Sequence, residues 1–246
     1  MEFVTVADTK FAVEHFQRQF PCKGHDSWSV GRHSVAVTDG ATPLDVNWPQ
    51  DVSEFSKLAA ELLVRFADSH NNPNEEFFWK QTVRLLTKNF GSAGYQRSAG
   101  AAVVREFQGK LRVSSVGDVA SYIETCDTSF RIMNDELPQL DELARQSPNF
   151  HESLRINRSL ANTKAGYVIL ADDDSIGKRS LVFDIDAEKV DRLWIMTDGC
   201  WRVLPQSTEL AFLLLNKLKK TGDIEKLFST FTLVDDATLI ELVRVS

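Results

Sequence analysis

Between residues 100 and 116 the chain doubles back on itself across two residues. Small and apolar residues fill 100–104, Arg105-Glu106-Phe107 and Gln108-Gly109 follow, and 110–116 resumes with Leu111 and Val113 in alternation and ends on Val116. A two-residue link cannot carry a strand over to a parallel neighbour, so these two strands must form an antiparallel hairpin. Gly117-Asp118 then interrupts, and 119–124 continues as a third strand. Strand signals recur at 3–6, 27–30, 34–38, 167–170, 181–185, 193–197 and 238–245. Between them the period changes. Phe55, Leu58, Ala59, Leu62, Leu63 and Phe66 return every three or four residues, which predicts an amphipathic helix over 51–69. Helices are also expected at 75–89, 141–146, 151–160 and 209–219. Strands outnumber helices and come in hairpins, not in strand–helix alternation. The fold class this predicts is α+β with mostly antiparallel sheets, not a doubly wound sheet. No internal repeat or low-complexity linker divides the 246 residues, so one domain over 1–246 is expected.

Charge and cysteine content exclude several kinds of function. The net charge is −7, without a long basic run, and the lysines at 217, 219 and 220 read as a solvated helix face. Nucleic acid is therefore not the expected partner. Three cysteines without a C-x-x-C pair provide neither a thiolate zinc site nor a disulfide framework, and point to a reducing compartment. The first ten residues carry Glu2 and Asp8 and lack the apolar core of a secretory signal. No apolar run reaches the roughly 18 residues of a membrane helix. A cytoplasmic monomer with no membrane partner is expected.

The feature with chemical content is a recurrence at strand ends: Asp39-Gly40, Gly117-Asp118, Asp198-Gly199 and Asp235-Asp236. Aspartate keeps its oxygens close to the strand end, and glycine admits a tight turn or a close approach. Several such ends converging would make an oxygen-lined site of the kind that hard ions such as Mg²⁺ or Mn²⁺ select. A single Asp-Gly is most often a turn. Other chemistries lack their residues. Ser98 has no G-x-S-x-G around it, Cys200 lacks the Cys-x5-Arg cradle and reads as a buried thiol, and no P-loop occurs. An aspartyl-phosphate mechanism needs Asp two residues before Asp39 or Asp198, where Val37 and Met196 stand. Trp194 and Trp201 read as core, the acidic run 172–174 as a solvated loop, and His33 as a strand-edge residue.

Taken in order, these segments resemble the type 2C metal-dependent protein phosphatases over nearly the whole chain. Val37-Thr38-Asp39-Gly40 is similar to that family's first Asp-Gly motif, with His25-Asp26-Ser27-Trp28 upstream where the family carries an acidic element. The segment from Ser98 to Gly117-Asp118 resembles its Gly-Ser-Thr-Ala hairpin ending in Gly-Asp. Leu193-Trp194-Ile195-Met196-Thr197-Asp198-Gly199-Cys200-Trp201 resembles its Leu-Ala-Ser-Asp-Gly-Leu-Trp segment, and Asp235-Asp236-Ala237-Thr238-Leu239 its terminal strand. The resemblance implies a four-layer α-β-β-α sandwich and a site holding two Mn²⁺ or Mg²⁺ ions. It implies that Asp39 bridges the ions, that the Gly40 carbonyl faces the second, and that Asp198 and Asp235 complete the first. Asp26 would orient a water on the metal, and Asp118 matches a carboxylate of a third, weaker site. The implied activity is hydrolysis of phosphoserine and phosphothreonine in proteins, in one step and without a covalent intermediate.

The chain also departs from that pattern. His25 stands where many members place a ligating Glu, and imidazole can take its place on Mn²⁺. Arg202 follows Trp201 where many members have an Asp serving the third ion. Ala41-Thr42 replaces a segment in which a His is the usual general acid. The family's phosphate-binding Arg has no match, with Pro21 near its place and Lys23 or Arg18 as substitutes. These departures support an alternative: a phosphatase-fold module that recognises a partner without turnover.

Overall fold

Alternation along the strands decides which side of each sheet is buried against what. In β4 (Ser34–Gly40), Val35 and Val37 face one core while Ala36 faces another. In β10 (Val190–Met196), Leu193 and Ile195 face the first core while Trp194 and Met196 face a third. All these residues are buried. A strand buried on both faces needs a layer on each side. The computed structural model, which describes residues 2–18, 25–69, 74–224 and 236–245, supplies those layers.

Two antiparallel sheets stack face to face. The five-stranded sheet runs β3 (Ser27–Val30), β4, β5 (Ala99–Phe107), β6 (Lys110–Val116), β9 (Leu181–Ile185). The six-stranded sheet runs β1 (Glu2–Val6), β2 (Thr9–Arg18), β11 (Ala237–Arg244), β10, β7 (Ala120–Thr125), β8 (Ser129–Ile132). The core between them joins Val4, Val6, Phe11 and Val13 to Val35, Val37, Ala102, Val104, Leu193, Ile195, Ile240 and Leu242. Each such side chain contributes about 1.5–3 kcal/mol relative to exposure. On the outer face of the five-stranded sheet, α1 (Val52–Ala67) and α2 (Glu75–Phe90) bury Phe55, Leu62, Leu63, Phe78, Trp79 and Leu86. On the outer face of the other, α6 (Thr208–Thr221) lays Phe212 and Leu215 against Tyr122 and Trp194. The result is the expected four-layer α-β-β-α sandwich.

Two readings of the sequence need correction, and two strands add to it. The segment 167–170 is not a strand. Only Leu170 bridges Ala99, while the Val168 carbonyl accepts from Gly117 N and the Tyr167 carbonyl from Asn162 N, so its backbone groups are divided among separate partners. β2 and β8 are strands beyond those the sequence predicts; β8 sets Phe130 and Ile132 on the inter-sheet core. β2 buries Phe11 and Val13 but then extends past the core, where residues 14–18 are only partly covered or exposed. Lys219 is not simply solvated, because its Nζ lies 2.6 Å from Oε2 of Glu241, a carboxylate buried on β11 beneath α6. Among the described residues, no helix is long and apolar enough to cross a membrane.

Candidate active site

One end of the sandwich gathers the acidic strand ends. β4 finishes with Asp39 paired to Gly100 of β5. Gly40 must be glycine for space: a Cβ there would stand 2.5 Å from Ser56 Oγ and 2.6 Å from the His25 carbonyl. The start of α1 therefore presses directly on the strand end that carries Asp39. Gly117, at φ +73°, makes the turn after β6. That turn does not continue a meander. It passes the chain from the five-stranded sheet into β7 of the six-stranded one, and puts Asp118 at the seam between the sheets. Across the seam β10 ends at Met196, and Asp198 opens α5 (Asp198–Trp201), a single helical turn. Asp198 N donates to Asp39 Oδ2 at 3.2 Å, so the backbone turn that carries Asp198 meets the strand end that carries Asp39, one from each sheet.

Thr197 is the hub beneath them. Its hydroxyl donates to Asp26 Oδ2 at 2.7 Å and accepts from Thr238 N at 2.8 Å. Asp26 is thereby fixed from the six-stranded sheet, buried, immediately before β3. Asp236, also buried, accepts from His25 N at 2.5 Å. The His25 ring lies at the cleft edge, with Nδ1 3.5 Å from Thr42 Oγ1. Asp235 and Lys23 lie outside the described residues.

Above this floor is a cleft of about 650 Å³. Its walls include Asp39, Asp118 and Asp198 from the strand ends, and Asp141, Arg145, Arg158 and Tyr167 from the segment containing α3 (Glu136–Arg145) and α4 (Phe150–Ser159). α4 is tied to the loop after Gly40: Arg155 Nη2 lies 2.5 Å from Asp45 Oδ2, and Arg158 donates to the Thr42 carbonyl. Arg202, one turn beyond Asp198, reaches back into the cleft. Its Nη2 is 2.9 Å from Asp198 Oδ2 and 3.3 Å from Asp141 Oδ2.

Burial and crowding both act on these carboxylates. Burial foremost, with Asp118 and Asp141 adding to it against Arg202, pushes the Asp198 carboxyl up to about 6. Burial likewise raises Asp141. Burial works against the Arg202 charge, but Asp198, Asp118, Asp141 and Asp39 outweigh it and hold its pKa up. Cys200, fully buried and facing Asp26, Asp198 and Asp39, is pushed well above the usual thiol range, which suits a structural thiol and not a nucleophile.

The oxygen-only donors Asp39 and Asp198 fit a hard divalent ion in chemistry. Among the described residues, no three His, Cys, Asp or Glu side chains converge closely enough to hold one by themselves. The strand-end aspartates were legible in the sequence. Asp141, Arg145, Arg158 and Thr197 carry no such signal. The first three sit on helices with the ordinary pattern of a solvated face, and Thr197 looks like the last residue of a strand. Trp201 is more than core, since its Nε1 donates to the Asp118 carbonyl at 2.7 Å and braces the seam turn. His33 lies at the far end of β4 from Asp39, its Nδ1 2.9 Å from the Thr5 carbonyl, and does not take part.

No protein-family model matches the chain, and no curated protein matches it. Solved structures do. The PPM Ser-Thr phosphatase MsPP from Mycobacterium smegmatis, in complex with cacodylate, superposes with a TM-score of 0.65 at 17% identity, over 94% of this chain and 97% of that one. The serine/threonine phosphatase Stp1 from Staphylococcus aureus gives 0.59 at 13% identity, over 100% and 98%. The catalytic domain of the phosphatase PstP, in complex with two manganese ions, gives 0.55 at 13%, over 96% and 98%. The two stacked sheets with their flanking helices are therefore the fold of the PPM-type bacterial serine/threonine phosphatases.

Proposed function

We propose that this chain hydrolyses phosphoserine and phosphothreonine in proteins, with Mn²⁺ or Mg²⁺ held at Asp39 and Asp198 and completed by Asp235. The observation that carries the reading is the meeting of Asp39 and Asp198 across the seam of the two sheets, at the floor of a cleft walled by further carboxylates and arginines. When bound, a divalent ion would lower the pKa of a water and neutralise phosphate charge. The chain's own residues do the rest. Asp26, held by the Thr197 hydroxyl, fixes the floor beneath the attacking side. Arg145 and Arg158 bring positive charge to the wall where a phosphate dianion would enter. Gly40 lines the cleft and the His25 ring reaches Thr42 beside it, and the Gly40 carbonyl and His25 would serve a second ion.

One observation favours a second reading. Arg202 already pairs with Asp198, and a module that bound phosphorylated partners without turnover could keep such a pair permanently. The deciding experiment is hydrolysis of para-nitrophenyl phosphate and of a phosphothreonine peptide, with Mn²⁺, Mg²⁺ or EDTA, by the wild type and Asp198→Asn. Metal-dependent turnover lost in the variant is the expected result. A folded wild type inert with every ion would transfer the conclusion to the binding module.

A further inference from the structure

Arg202 is the unexplained charge in this cleft. Its backbone N donates to the Asp198 carbonyl at 3.1 Å, as the helical turn requires, which sends its side chain back over Asp198. One nitrogen, Nη2, then sits between two carboxylates from different parts of the fold, 2.9 Å from Asp198 and 3.3 Å from Asp141. Asp118 adds to the same field. Two carboxylates facing each other in a half-closed cleft need a cation between them, and the guanidinium supplies one that neither dissociates nor deprotonates.

We infer that Arg202 is a built-in cation occupying the position where Asp198 and Asp141 would otherwise hold a divalent ion. The cleft therefore binds fewer ions than its carboxylates could accommodate. A chelator would leave α3 still joined to the catalytic floor through this contact. The inference rests on reading the cleft as a divalent-ion site, and its test is separate from the test of hydrolysis.

The test is Mn²⁺ uptake by the full chain after chelator stripping, counted by calorimetry and by electron paramagnetic resonance of the free ion. Arg202→Ala and Arg202→Gln are expected to bind one more Mn²⁺ per chain than the wild type. Adding Asp141→Asn to either should remove that extra ion. Asp141→Asn alone, with Arg202 in place, should leave the wild-type number unchanged. Far-UV circular dichroism and thermal melts identify any variant that fails to fold. If neither Arg202 variant folds, the Asp141→Asn count decides by itself, and fewer ions than the wild type would overturn the inference. It is equally overturned by folded Arg202 variants that bind the wild-type number, or by an extra ion that survives Asp141→Asn. A wild type that hydrolyses nothing, beside an Arg202 variant that gains an ion, would sink the phosphatase reading and leave this inference standing. Wild-type turnover with no gain in the variants would do the reverse.

Discussion

Gly199→Ala tests whether the catalytic floor depends on backbone contact. A Cβ at Gly199 would stand 2.0 Å from the Asp236 carbonyl oxygen and 2.9 Å from its carbon. That is more than an ångström inside ordinary contact, and no side-chain rotation can relieve it because the obstacle is backbone. Either α5 must lift, carrying Asp198, or the entry to β11 must retreat, carrying Asp236 and through it the His25 amide. Overpacking of this kind costs about 1–3 kcal/mol. At about 2–4 °C per kcal/mol for a chain of this size, the melting temperature should fall by a few to about 10 °C. The larger effect should be on rate, because a displacement of about 1 Å in a reacting group can cost on the order of 10²-fold. The assay is kcat for metal-dependent phosphopeptide hydrolysis alongside a thermal melt. Gly222→Ala is the control. Gly222 caps α6 at φ +69° with nothing within 4 Å of a built Cβ, so alanine there should cost about 1 kcal/mol from backbone strain and leave kcat alone. A Gly199→Ala protein with wild-type kcat and melting temperature would refute the close-contact reasoning.

Two further outcomes follow from the same geometry. In metal-free protein the Asp198 carboxyl, pushed up to about 6 chiefly by burial, lies above its unfolded value. The folded chain therefore binds the extra proton, so stability should be greatest below about pH 4 for this group and should fall as pH rises through 6, by on the order of 3 kcal/mol. Urea unfolding in EDTA at pH 4, 5 and 7.5 follows this, with about 1.4 kcal/mol of the loss falling between pH 5 and pH 7.5, and Asp198→Asn should flatten that part of the profile. A variant with an undiminished pH slope would mean that Asp198 does not carry it. Thr197→Val removes the hydroxyl that donates to Asp26 and accepts from Thr238 N, leaving two buried groups without that partner. It should cost about 1–3 kcal/mol in stability and reduce kcat more than KM, and retention of full kcat would show that Asp26 is held by other means.

Much of the architecture could be read from local pattern because its causes are local. The β5–β6 hairpin follows from Gln108-Gly109, where both residues adopt positive φ. α1 follows from its three-and-four repeat, and its observed limits, Val52–Ala67, fall just inside the expected ones. Asp39 and Asp198 are legible because each ends a strand against a glycine. The misses have a different physical origin. β2 loses its alternation where it overhangs the core beyond Val13, and 167–170 is apolar because Tyr167 and Ile169 pack with Leu137 while Val168 and Leu170 enter the core beneath α1 and α2, with only Leu170 bridging a strand.

The cleft itself was legible only in half. Its floor is made of strand ends, which announce themselves as Asp-Gly. Its wall is made by α3 and α4, whose sequences resemble any solvated helix because their functional side chains face a polar cavity. A cavity-facing Asp141 and a solvent-facing aspartate leave the same trace in hydropathy. What separates them is Arg202, 61 residues further on, and that contact exists only once the β10–α5 turn has aimed a guanidinium across the seam. The sequence shows Arg202 as a departure from an acidic pattern. The fold shows what that guanidinium touches, Asp198 on its own turn and Asp141 on α3, and, with Arg202 inferred to be a built-in cation, this pairing is what lowers the number of ions the cleft takes.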